Sequence, residues 1–439
     1  MRVPPSISLV FLAISVGCSG ASNPLGGSRD GGASSGSSSG GASSSGSGGG
    51  SSGGSGGGSS TSSGGGSGSG GGSSSGSGGG SGSSSSGGGS GSSSGGACPP
   101  CDVGNVNLPG SDCDLDCSGT TSPPGPCDAA LTEAGPAADF AKALGICQMA
   151  TGGSWGLVSA TYTQGYNSTA APNAGQHGIQ PSFGPAILPH EGSMLGVLSS
   201  GYAMVCDDAS PTAACAGENG MGDPYFKGEQ TAMDTANGTA PPSYPKSTAA
   251  CMAATTVFDT IGVTLQIVVP KNVAGFSFDF DFYSSEWPEY ACSTYNDQFV
   301  AWLQSEAWLG NVGDLNVAFD TMGNVISVNT PFISRCTPST PIGCDSALGT
   351  ATGTATCTAG PDELQGTGFY NLGTYCTSQS TGGASTGWLT TTAPVKGGET
   401  ITLQLIIWDT GDANWDSSVL LDNFTWYGAT QVVKTAPSP

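Results

Sequence analysis

The chain has 439 residues, 76 of them glycine, and its 32 acidic against 9 basic side chains give a formal net charge of −23. That balance argues against nucleic acid and anionic lipid headgroups as partners, because both would be repelled. Fifteen cysteines argue against a reducing cytosol, and setting Cys18 aside leaves fourteen, an even number that can pair completely.

Residues 1–17 read as an export signal: Arg2, an apolar run over 7–16, then small residues. The run is too short to remain as a membrane-spanning helix. Ser15-Val16-Gly17-Cys18 resembles a bacterial lipobox, whose cysteine is diacylated and becomes the new N-terminus, although Ser15 stands where leucine is usual. The expectation is a lipoprotein signal over 1–18, with Cys18 lipidated and the protein exported to the bacterial surface, on the outer membrane. A plainly cleaved signal is the alternative. Residues 19–96 are nearly pure Gly and Ser. Such chain buries nothing and stays disordered. As a flexible coil of about 78 residues it spans roughly 45–55 Å, enough to hold a domain clear of a membrane.

Residues 97–127 form a cysteine-rich segment, CPPCDVGNVNLPGSDCDLDC and on to Cys127. The spacing has a superficial likeness to a zinc site, but export oxidises thiols, so disulfides are the expectation. The helix predicted over 136–144 starts at Pro136, carries an apolar stripe of Ala137, Phe140, Ala141 and Leu144, and stops at Gly145. Short strands follow at 155–162, 194–198, 257–269, 276–282, 299–303, 324–328, 400–408 and 419–426, divided by Gly, Pro, Asn and Asp. The pattern predicts an all-β domain over 128–430, an antiparallel sandwich or jelly roll with one short helix, stapled by disulfides and followed by a tail at 431–439. Spacing suggests three local staples: Cys206 with Cys215, Cys336 with Cys344, and Cys357 with Cys376.

The most informative stretch is GFSFDFDFYSSEWPEYACSTYNDQFVAWL, residues 275–303. Phe276, Phe278, Phe280 and Phe282 alternate with Ser277, Asp279, Asp281 and Tyr283, which puts the phenylalanines on one face of a strand and the more polar set on the other. A loop carrying Glu286, Trp287, Glu289, Tyr290, Asn296 and Asp297 then leads into a second strand. The C-terminal counterpart, residues 401–427, delivers Asp409, Asp412, Asn414 and Asp416 around Gly411. Oxygen ligands gathered in this way suit a hard cation, and carboxylates so close repel one another without compensation. Calcium held by Asp409, Asp412, Asp416, Glu286 and Asp297 is therefore one expectation. An Asp- and Asn-rich hairpin capping its own backbone is the other.

Glu286, Glu289 and Asp297 could also serve a glycoside hydrolase as paired carboxylates, with Trp287 and Tyr290 as sugar platforms. Serine hydrolase chemistry lacks support. The two histidines are His177 and His190, no G-x-S-x-G occurs in the folded part, and His190 sits in a turn-like segment. No phosphate- or dinucleotide-binding pattern stands in a strand–helix context, so no organic cofactor is expected.

At these residues the chain resembles the choice-of-anchor L domain. Ser285, Glu286, Pro288, Glu289, Tyr290, Asn296, Asp297 and Phe299 match that family's signature, while Trp287 replaces a usual tyrosine. Leu188-Pro189-His190-Glu191-Gly192-Ser193 and Leu198-Ser199-Ser200-Gly201 resemble its upstream elements, and the 409–422 segment its closing run. The resemblance covers about residues 129–428. It implies an extracellular β-rich module on an exported bacterial protein and supplies no catalytic residues. The combined expectation is a surface-anchored, non-enzymatic adhesion, matrix or binding module. It would be held to the membrane by its lipid and offer itself to a glycan or protein ligand. A polysaccharide hydrolase and a purely structural envelope protein are the alternatives.

Overall fold

Phe276, Phe278, Phe280 and Phe282 lie along a ten-residue strand that is buried from end to end. The computed structural model describes residues 126–203, 238–248, 251–311, 313–344, 353–370, 372–376 and 378–439. The signal, Cys18, the Gly/Ser segment, most of the cysteine-rich segment, and Cys206 and Cys215 lie outside the described residues.

One short helix, α1 (Ala137–Ala143), opens the described chain. The strands follow as β1 (Gly156–Thr163), β2 (His177–Gln180), β3 (Leu195–Ser199), β4 (Val257–Val268), β5 (Gly275–Ser284), β6 (Gln298–Gln304) and β7 (Ile326–Ser327). Two small ribbons come next, β8 (Ser339–Ile342) with β9 (Gly353–Ala355) and β10 (Leu372–Tyr375) with β11 (Ser378–Thr381). The chain closes with β12 (Ala384–Ser385), β13 (Leu389–Pro394), β14 (Thr400–Thr410), β15 (Ser417–Tyr427) and β16 (Lys434–Pro437).

Two antiparallel sheets carry the fold. One has the order β1-β4-β14-β6-β7; the other runs β16-β13-β5-β15-β3-β2, with β12 also on β5. Alternation along each strand supplies a shared interior. Ile261, Val263, Leu265 and Ile267 of β4, Ile401, Leu403, Leu405 and Ile407 of β14, and Phe299, Ala301 and Leu303 of β6 face the four phenylalanines of β5. Phe280 and Phe299 touch across the sandwich with ring centroids 5.1 Å apart. Each fully buried side chain of this kind stabilises by about 1.5–3 kcal/mol relative to exposure. Helix α1 closes one side by setting Phe140 against β3. A Cβ at Gly196 would come within 2.5 Å of that ring, so glycine is what lets the helix approach.

The second face of β5 departs from expectation. Alternation placed Ser277, Asp279, Asp281 and Tyr283 together, yet all four are buried. β5 is central in its sheet, pairing with β13 (Leu389 opposite Phe280) and with β15 (Leu421 opposite Phe280). Its outer face is covered at one end by Phe183, Leu364 and Phe369, packed on Tyr283. Period-two patterning reveals two faces; it does not reveal what long loops later lay over them.

Disulfides also depart from the sequence-based pairing. Cys336 joins Cys357 and Cys344 joins Cys376, so these four cysteines are interlaced rather than paired with their nearest neighbours. Short spacing favours loop closure in an unfolded chain, but here the β8–β9 ribbon, which pairs Ser339 with Ala355, sets Cys336 beside Cys357. Cys251–Cys292 and Cys127–Cys147 complete the described bonds, and the latter ties the end of the cysteine-rich segment to the domain.

Candidate functional site

Two loops meet because each of them crosses between the sheets at the same end. Residues 285–297 lead from β5 in one sheet to β6 in the other, and residues 411–416 lead from β14 back to β15. Register then sets their neighbours. Ser417 pairs with Ser284, which puts Asp416 beside Ser285, and the Ser285 N–H donates to the Asp416 carbonyl at 3.0 Å. Trp408 pairs with Gln298, which puts Asp409 beside Asp297.

Asp297 clasps both strands of the second loop. One oxygen accepts from the Thr410 N–H at 2.9 Å and the other from the Ser417 hydroxyl at 2.7 Å. Its own N–H donates to Glu286 at 3.4 Å. Asp409 lies just past an irregularity in the β14–β4 register, opposite Phe258. Glu286, Asp297, Asp409 and Asp416 are all buried. Of the five residues expected to hold calcium, the fold therefore gathers these four, with Asp412 close enough to act electrostatically on Glu286 and Asp297.

Burial is the leading cause of the electrostatics. It pushes the Asp297 carboxyl up to about 7, against the pull of its hydrogen bonds from Ser417 and Thr410. Burial, and then the neighbouring Asp297 charge, hold Glu286 and Asp409 well above the ordinary carboxylate range. Such a group must be protonated or balanced by positive charge at neutral pH.

Above these carboxylates opens a pocket of about 200 Å³, lined by Glu286, Tyr290, Tyr295, Asp412, Asn414 and Trp415. Its aromatic wall is continuous: Tyr290 lies 5.8 Å from Tyr295, edge to face, and 5.7 Å from Trp415. Trp415 adopts φ +63, and Gly411 at φ +100 packs on Tyr295, where a Cβ would meet the ring at 2.9 Å. Composition offered no signal for Tyr295 and Trp415, since tryptophan is more often core. Of the five tryptophans expected in the core, Trp155, Trp302, Trp408 and Trp426 are buried, while Trp388 is half-buried.

The sugar-hydrolysing trio is not brought together. Glu289 is turned toward the staple region, where it accepts from the Cys376 N–H at 3.5 Å, and it does not line the pocket. Trp287 is 5 % exposed and packs with Ala291, Val328 and the Cys336–Cys357 bond, so it offers no platform. Tyr290 alone of the two proposed platforms reaches the pocket.

A second polar knot joins the upstream segment to the sheet. His190 Nδ1 lies 2.8 Å from Asp279, and Asp422 accepts from the backbone N–H groups of His190 at 2.5 Å and Glu191 at 3.2 Å. Asn423 also donates to Asp279 at 2.9 Å. Stretches far apart in the chain, 188–193 and 409–422, are thus held together by β5.

The family model of the Choice-of-anchor L domain matches residues 225–425, a span that includes both crossing loops. No curated protein and no solved structure matches the chain. Among the described residues no helix is long and apolar enough to cross a membrane. The signature residues around Glu286 and Asp297 and the closing run to Asp422 build one corner of the sandwich, and residues 225–425 are similar to the Choice-of-anchor L domain, a likeness that points to an exported, surface-associated protein.

Proposed function

We propose that this is a lipid-anchored surface module that binds an extracellular ligand without transforming it, and that a glycan fits the pocket best. The observation that carries the reading is the pocket itself: an aromatic wall of Tyr290, Tyr295 and Trp415 beside the amide of Asn414 and the carboxylates of Asp412 and Glu286. Aromatic faces with a few convergent polar groups are what a sugar ring requires. Support for the non-enzymatic half comes from the dispersal of the trio: Glu289 does not line the pocket, and both oxygens of Asp297 accept hydrogen bonds, from Thr410 and from Ser417. An anchor at Cys18 followed by the Gly/Ser tether would present this corner away from the membrane.

A glycan array probed with the full chain tests the binding half. Binding weakened about two- to tenfold in each of W415A and Y290A is the expected result, since stacking on one ring is worth about 0.5–1.5 kcal/mol. No glycan bound at all, or full binding by both variants, overturns it, and the former outcome favours a purely structural envelope role. Metabolic labelling with a palmitate analogue tests the anchor, and label retained in C18S would refute it.

A further inference from the structure

Beneath the pocket, the charges acting on Glu286, Asp297 and Asp409 come from Asp297, Asp412, Asp416 and Asp259, all of them negative. Arg335, a half-buried cation that reaches over β5's outer face, is committed to Asp281 and Glu363. Asp409 is 1 % exposed, and neither of its carboxylate oxygens receives a hydrogen bond of normal geometry, although the Asp297 carboxyl lies alongside it. The Ser200 hydroxyl beside it gives partial relief, but it donates to the Ser417 carbonyl at 3.2 Å. A carboxylate buried in this way costs several kcal/mol unless something compensates it. The fold nevertheless spends four strand ends to assemble the group.

We propose that this corner binds one hard divalent cation, calcium by preference, on Asp409 and a neighbouring carboxylate. The donor set is oxygen throughout, with no thiolate and no imidazole, which selects a hard ion over zinc or copper. As the side chains stand, no group of three or more His, Cys, Asp or Glu residues among the described residues is arranged to hold a metal. The remaining positions in the shell therefore fall to neutral oxygens: the Ser200 and Ser417 hydroxyls, loop carbonyls and water, all ordinary ligands for calcium. An ion here would tie the β5–β6 crossing to the β14–β15 crossing and so fix the floor of the pocket. The proposal shares Glu286 with the glycan-binding reading but does not rest on it, and its test uses the metal alone.

The test is a calcium titration of the disulfide-intact full chain after removal of bound ions with EDTA. A saturable heat of binding, with a dissociation constant of about 10⁻³ M or tighter, and a melting temperature raised by several degrees at about 5 mM calcium are expected. The D409N variant should bind calcium at least about tenfold more weakly and lose that gain. In EDTA it should melt at or above the wild type, because the uncompensated charge is gone. No saturable heat together with an unchanged melting temperature overturns the proposal, and so does a D409N variant that keeps the calcium gain. Should the wild type gain stability on acidification and none from calcium, protons neutralise the corner and the proposal falls. If D409N does not fold, E286Q and the wild-type titration decide the question. Calcium binding with a blank glycan array, or the reverse, separates the two readings.

Discussion

Replacing Arg335 with Met keeps the aliphatic stem and removes the guanidinium from a buried carboxylate. Asp281 is fully buried and its partner Nη1 stands 3.4 Å away. Its remaining protein support includes the Thr386 hydroxyl, which donates to the other oxygen at 3.2 Å. Burial raises the Asp281 pKa even with the arginine present, the arginine pulling the other way. At an effective dielectric of about 20, a 3.4 Å pair is worth about 5 kcal/mol of attraction. Breaking a buried pair on one side typically costs about 3–5 kcal/mol. The exposed partner Glu363 adds little to this sum, because solvent screens it. R335M should therefore lose about 4 kcal/mol in urea unfolding at pH 7, read as a lower midpoint at unchanged slope. The double variant R335M/D281N should recover most of that loss, since it removes the stranded charge together with its partner. A cost below about 1 kcal/mol for R335M, or a double variant as unstable as the sum of the two singles, would refute the reasoning.

Three further outcomes are expected. Removing the Cys251–Cys292 bond, which closes 41 residues, in C251S/C292S should cost about 4 kcal/mol by chain entropy; thermal unfolding within about 1 kcal/mol of wild type would exclude that account. F280A deletes a fully buried ring between β13 and β15 and should cost about 3–5 kcal/mol in the same urea assay, so a midpoint shift worth under 2 kcal/mol would mean the core collapses around the gap. Stability should fall as pH rises from 5.5 to 8. Burial lifts Asp422 from 3.8 to about 7, so its contribution is full below 3.8 and is lost as pH climbs through 7; between pH 5.5 and 8 that is about 2 kcal/mol. His190, raised chiefly by its bond to Asp279, and Glu191, raised by burial, act with the same sign. The slope should be shallower in H190Q, and a flat or rising profile would contradict the assignment.

The segments 188–193 and 409–422 have a physical relation that their separation in the chain hides. Asp279 and Asp422 sit opposite each other on β5 and β15, and together they hold the turn at His190. That turn in turn places Met194 and β3 beside β15, where Ser200 reaches the acidic corner. The polar face of β5 is therefore the seam along which the covering loops are fastened, with Asp279 taking His190 and Asp281 taking Arg335.

By itself the sequence determined the elements and their inward faces. Period-two alternation in β4, β5, β6 and β14 was enough to name the core, and a proline start and a glycine stop were enough to bound α1, because these signals are local and each residue carries its own share. It also determined that Glu286, Asp297 and Asp416 stood in loops at strand ends and that Asp409 stood at the end of a strand. What only the tertiary structure decided was who meets whom. Ser417 opposite Ser284 and Trp408 opposite Gln298 bring the two acidic loops to one end, and strand register is a long-range property that no window of sequence contains. The same holds for Glu289 and Trp287, local neighbours of Glu286 that the fold turns away, and for Cys336 and Cys344, close in sequence yet bonded elsewhere. Burial of Asp279 and Asp281 likewise came from loops contributed by residues a hundred positions distant, since desolvation depends on what finally covers a face and not on the strand that presents it.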